Sequence, residues 1–189
     1  MIAYLHGFNS SPQSHKARTL QRYLESRGLG ARYRCPALPP LARVAVDLVE
    51  REMAAYGDEP TYFIGSSLGG FYATYLAEKH DARAVLINPA IDPHIGLRAY
   101  IGAQKNLHTG EPYVLTEEYL RDWEQLYCSK LTPGRYLVIV ETGDEVLDYR
   151  EALERYAGAE QIVIPGGDHS LQSFSQHLPR ILRFCGLPS

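Results

Sequence analysis

A short apolar run followed by a helical pattern recurs about six times along this chain, and no other feature restricts its fold as tightly. The runs are MIAYL (1–5), ARYRC (31–35), TYFIG (61–65), AVLIN (84–88), YLVIV (136–140) and QIVI (161–164). Helical spacing fills the intervals. Residues 14–27 put Ala17, Leu20 and Leu24 on one face, and residues 41–56 put Leu41, Val44, Ala45, Leu48 and Val49 on another, behind the Pro39-Pro40 stop. Such alternation predicts an α/β fold: a mostly parallel sheet of about six strands, right-handed crossovers, helices on both faces, and ligands bound beyond the carboxyl ends of the strands. The 189 residues suit one domain, 1–189, with no repeat or low-complexity tract.

The rhythm breaks once. More than forty residues separate Asn88 from Tyr136, and Tyr100, Tyr113, Tyr119, Trp123 and Tyr127 lie among them. A crossover needs far less chain, so residues 89–131 are expected to contain a small cap or lid over the active edge of the sheet. A helical excursion, with Leu120, Trp123 and Tyr127 spaced as core residues, is compatible with that expectation.

Charge and composition remove several classes of function. The formal net charge is −3 and no five like charges run together, so the chain has no phosphate-neutralising footprint and nucleic acid is not expected as a partner. The longest apolar runs are too short to span a bilayer, and the opening residues MIAYLHG lack a basic region and a cleavage site, which points to a cytoplasmic protein. Cys35, Cys128 and Cys185 are odd in number and far apart, so they suggest neither a disulfide framework nor a metal clip. The histidines show no metal-ligand spacing, and no cofactor is expected.

The stretch FIGSSLGGFYA (63–73) carries the chemistry. Gly65, Ser67 and Gly69 fit G-x-S-x-G between a strand and a helix. An abrupt strand-to-helix turn strains the apex residue and crowds the positions two before and two after it, which explains both glycines. Ser67 would then project its hydroxyl from the sheet edge, and the Leu68 amide at the helix start would face a developing oxyanion.

Serine needs a base and an acid. Asp144 follows the strand YLVIV in ETGDEVLDY, and His169 follows QIVI in PGGDHSLQSF. The order Ser67, Asp144, His169 is that of α/β-hydrolases. His6, in LHGFNSSP, is the rival base but suits a loop-ordering role; the adjoining Phe8 amide, with that of Asn9 as an alternative, would complete the oxyanion hole. Among the acids, Asp148 suits a helix cap, Asp168 adjoins His169 awkwardly, and Glu141 falls at a strand end. Asn9, Tyr113 and Trp123 are candidate substrate contacts.

The motifs YLHGFNSSP, GSSLGGFYATYLA, NPA (88–90), TGEPYVL (109–115), TGDEVLDYREAL (142–153) and GGDHSLQSF (166–174) together resemble the YqiA-like esterases, a compact branch of the α/β-hydrolases. The resemblance runs from first strand to last helix. It implies a cytoplasmic serine esterase for short-chain aryl esters and acyl-CoA thioesters, with Ser67, Asp144 and His169 as its triad. The chain departs from that pattern at Asp168 and Ser170, where a neutral and a small apolar residue are expected. An Asp168 carboxylate facing His169 would raise the imidazole pKa and shift the pH optimum upward. Two alternatives stay open: transfer of the acyl group to an alcohol or amine, or peptide hydrolysis, by the same triad; and a non-catalytic scaffold holding a hydrophobic ligand.

Overall fold

The computed structural model describes residues 1–57 and 59–188. Six parallel strands form one sheet: β1 (Ile2–Leu5), β2 (Tyr33–Arg34), β3 (Tyr62–Ser66), β4 (Arg83–Ile87), and, after the long interval, β7 (Tyr136–Glu141) and β8 (Glu160–Ile164), in the order β2-β1-β3-β4-β7-β8. All six anticipated strands are present. The order reverses between β1 and β3: the chain begins one strand in from an edge, adds β2 on that edge, and then winds outward from β3 to β8 on the other side.

Alternation along each central strand divides the core into two layers. Ala3, Leu5, Phe63, Ala84, Leu86, Val138 and Val140 face α2 (Ala42–Tyr56), α3 (Leu68–Lys79), α5 (Glu117–Gln125) and α6 (Tyr149–Arg155). Ile2, Tyr4, Ile64, Val85, Ile87, Leu137 and Ile139 face α1 (His15–Ser26) and α7 (Phe174–Phe184). Strands covered on both sides read as continuous apolar runs, which is why they stood out in the sequence.

In α1 the inward face is Ala17, Leu20 and Leu24, as the spacing predicted. In α2 it is not. Ala42, Ala45, Val46 and Val49 are buried there, while Val44 is 40% exposed. The helix start is tethered through Arg43, whose amide and guanidinium both donate to the buried Asp122 of α5 at 2.9 and 3.1 Å, while Leu41 and Leu48 are half-buried.

Residues 89–131 divide in two. The short helix α4 (Pro93–Gly96) leads to an antiparallel hairpin, β5 (Gly102–Lys105) and β6 (Pro112–Leu115), paired from Gly102 opposite Leu115 to Lys105 opposite Pro112. Helix α5 then packs into the core through Leu120 and Trp123, whereas Tyr127 is 38% exposed. No helix among the described residues is long and apolar enough to cross a membrane.

Candidate active site

The junction of β3 and α3 places Ser67 at φ 55° and ψ −123°, a conformation that only glycine adopts freely. A Cβ at Gly65 would collide with the backbone of Gly69 and Gly70, the crowding that the spacing implied. Gly69 has a different cause. A Cβ there would strike the carbonyl of Leu5, because α3 lies directly on the end of β1. The strained serine is braced by its own backbone: its amide donates to the Ile87 carbonyl at 3.0 Å, and its carbonyl accepts from Gly70 and Ala90 at 2.8 and 3.1 Å.

Two strands away, Asp144 and His169 meet. His169 Nδ1 lies 2.8 and 3.0 Å from the two Asp144 carboxylate oxygens, and the Asp144 side chain is only 2% exposed. Asp144 Oδ1 also accepts the amides of Val146 and Leu147 at 2.8 and 2.9 Å. Burial opposes its ionisation, but the His169 bond and the two amides outweigh burial and hold the carboxyl below the usual carboxylate range. With Nδ1 donating to Asp144, the Nε2 of His169 is the nitrogen left to accept a proton.

Ser67 and His169 line one cleft of about 840 Å3. Among the described residues no hydrogen bond joins the Ser67 hydroxyl to the imidazole; apo geometry of this kind often closes only with substrate in place. Gly7 packs against Ser67: a Cβ there would lie 3.2 Å from the Ser67 Cβ and 3.3 Å from the Ser66 carbonyl oxygen, closer than ordinary contact. The amides of Phe8 and Leu68 have no backbone or side-chain acceptor among the described residues, and Leu68 opens α3.

The other candidates fall into place. His6 is 4% exposed, with Nδ1 on the Gly7 carbonyl at 3.1 Å and Nε2 accepting from Leu38 at 3.0 Å, and burial pushes its imidazole below its ordinary value. It staples the loop. Asp148 caps α6 through the Arg150 amide at 3.0 Å. The Asp168 carboxylate turns away from the imidazole toward Ser170 and Gln172, and those bonds hold it below its usual range; the expectation that it acts on His169 is therefore corrected. Trp123 is also a correction. It is fully buried, its Nε1 donates to the Tyr72 hydroxyl at 2.7 Å, and it lies in the core rather than against the cleft. Tyr113 and Asn9 instead border a second, more apolar chamber of about 380 Å3, which shares the loop of residues 7–10 with the cleft as a common wall.

Three residues take roles around His169 that the sequence did not assign to them. Asn88, 3% exposed, donates to the Asp168 and His169 carbonyls at 3.2 and 3.1 Å and accepts the Glu141 amide at 3.0 Å. Glu141, itself buried, accepts the Asp168 amide at 2.9 Å and the Ser173 hydroxyl at 2.7 Å. Both hold the His169 loop. Lys16 donates to the Ser170 carbonyl at 2.5 Å and lines the cleft; burial lowers its ammonium pKa against the opposing pull of Asp168, Glu141 and Asp144.

A family model described as "Uncharacterised protein family (UPF0227)" matches residues 1–186. A UPF0227 protein of Serratia proteamaculans (strain 568) is 25% identical over the whole of both chains. Among solved structures, a protein from Agrobacterium vitis S4 superposes with a TM-score of 0.79 at 17% identity, over 96% of this chain and 86% of that one. The mouse alpha/beta hydrolase domain-containing protein 10 superposes at 0.71 and 15%, over 98% and 86%. The fold is that of the α/β-hydrolases.

Proposed function

Since the chain belongs to the UPF0227 family, the YqiA-like group that its motifs resemble, we propose that it is a serine hydrolase of carboxylic esters working through an acyl-enzyme. One observation carries the reading: a serine forced into a strained apex shares a cleft with an imidazole whose far nitrogen is held by a buried carboxylate.

The roles follow from the geometry. Ser67 attacks the ester carbonyl while His169 Nε2 takes its proton, Asp144 fixes the imidazole tautomer and stabilises the imidazolium, and the amides of Phe8 and Leu68 receive the oxyanion. The imidazolium then protonates the leaving group. Water, deprotonated by the same nitrogen, releases the acid and restores the serine. No cofactor takes part.

Acyl-CoA thioesters belong to the same proposal. Lys16 borders the cleft, and an ammonium there suits an anionic leaving group. The hairpin is proposed as the working part of the cap, and the cytoplasm as the site of action. A binding scaffold without catalysis would gain nothing from straining Ser67 or burying Asp144 behind His169.

The test is labelling by a fluorophosphonate, read by intact mass, beside Ser67→Ala and His169→Ala. Stoichiometric labelling of the wild type, lost in both variants, is expected. A folded wild type that does not label refutes the proposal.

A further inference from the structure

The oxyanion loop does not hold itself. Within residues 6–10 the bonds are the His6 ring to Gly7 and a Ser10 amide to the Gly7 carbonyl at 3.3 Å. Besides the Leu38 amide on His6 Nε2 at 3.0 Å, the contacts that reach residues 8–10 come from the segment of residues 100–113, about a hundred residues later. The Asn9 carbonyl accepts the Leu107 amide at 2.9 Å, its Oδ1 accepts the Tyr113 hydroxyl at 2.7 Å, and its Nδ2 donates to Gln104 Oε1 at 3.2 Å. Asn106 Nδ2 reaches the Ser10 carbonyl at 2.8 Å, and the Tyr100 ring meets the Phe8 ring edge-on at 5.9 Å.

Asn9 itself has φ 53°, in the left-handed region where asparagine is tolerated better than most residues. That conformation sets the direction of the peptide chain as it leaves Phe8. The hairpin tip is rigid in turn: the Asn106 carboxamide accepts the amides of His108 and Thr109, both at 2.9 Å. A two-stranded hairpin alone is marginal in water, so loop and hairpin each supply the order that the other lacks.

We propose that the hairpin of residues 102–115 is the positioning element of the oxyanion hole, and that Asn9 is the joint through which Tyr113 and Gln104 aim the Phe8 amide. This rests on the serine hydrolase reading above. Asn9 and Tyr113 are positioning residues: they act through the Phe8 N–H, and the interaction they tune strengthens only as the oxyanion forms.

The experiment compares wild type, Tyr113→Phe, Asn9→Gly and the double variant on a short-chain p-nitrophenyl ester. Tyr113→Phe keeps the ring and deletes one bond to the joint, and glycine at position 9 keeps the backbone angle while deleting both side-chain bonds. Tyr113→Phe is expected to lower kcat about three- to thirtyfold with KM within about twofold. Affinity for a trifluoromethyl ketone, whose adduct places an oxyanion in the hole, should fall by a similar factor. Asn9→Gly should lose more, and adding Tyr113→Phe to it should lose nothing further.

A raised KM with unchanged kcat, or additive losses in the double variant, overturns the inference and leaves Tyr113 a wall of the chamber. Should Tyr113→Phe fail to fold, Gln104→Leu tests the same joint from its other side and must show the same kcat loss. Wild-type turnover matched by every variant overturns this inference alone. A folded wild type with neither turnover nor fluorophosphonate labelling overturns the hydrolase reading and this inference with it.

Discussion

Replacing Asn88 by alanine should loosen the imidazole loop and destabilise the whole domain. The side chain closes three hydrogen bonds between the ends of β4 and β7 and the loop carrying His169, in a site 3% exposed. Its loss strands the Glu141 amide without an acceptor, at about 1–3 kcal/mol. The two loop carbonyls lose a donor, for about 1 kcal/mol together, since each carbonyl has a second lone pair to use. Asn88 also sits at φ 40°, where alanine is strained by about 1 kcal/mol. The sum is about 3–5 kcal/mol, a large share of the stability of a typical domain. At about 2–4 °C per kcal/mol for a domain of this size, the melting temperature should fall by about 6–20 °C. Thermal melting and urea titration read it, with the midpoint shifted and the slope unchanged. Asn88→Gly separates the parts: glycine relieves the strain at φ 40° but adds an entropic cost of about 0.5–1 kcal/mol, so it should be level with alanine or up to about 0.5 kcal/mol more stable. The reasoning is refuted if Asn88→Ala melts with the wild type, or if glycine is the worse of the two.

Three further outcomes are expected. Ser67→Gly should abolish ester hydrolysis yet raise stability by about 0.5–2 kcal/mol, because glycine removes the strain at φ 55° less its own entropic penalty; a lower melting temperature would contradict the strain argument. Gly69→Ala should destabilise by about 3 kcal/mol or more, since its Cβ meets the carbonyl of Leu5 with backbone on both sides, and a soluble variant melting like the wild type would refute that reading. Asp144 has a depressed pKa in the folded state, so its ionised form contributes stability that is present above the unfolded value of about 3.9 and is lost as pH falls through the folded value. In acid titration followed by circular dichroism, Asp144→Asn should lack that part of the wild-type fall in stability below about pH 4, and parallel curves would sink the assignment.

The strands were legible because a parallel sheet covered on both faces demands unbroken apolar runs, and the elbow because its glycines answer a steric need local in sequence. Asp144 and His169 could be placed at strand ends by position alone. The hairpin could not: GAQK and PYVL are short, half-exposed, and joined by a polar six-residue tip with no two-residue turn signature. The inward face of α2 was misjudged at Val44 and Val46; the helix start is held by Asp122, seventy-nine residues from Arg43, a partner no local pattern shows. Trp123 looked like a cap aromatic until its partner, Tyr72 on α3, was known. Asn88 and Lys16 act across separations of 80 and 154 residues, where no local pattern betrays them.

The winding order of the sheet governs how the molecule can be assembled. Strand β4 must wait for β7, with Val85 opposite Leu137, before the acid and base loops stand beside the elbow. Such long-range pairing is slow, because chain closure precedes any gain from the contacts it makes. On the proposed hydrolase reading, a ribosome-bound chain that has already formed β1, β3 and the serine turn therefore holds a nucleophile with no base. Hydrolytic competence should be the last property to return on refolding, after helical signal has recovered.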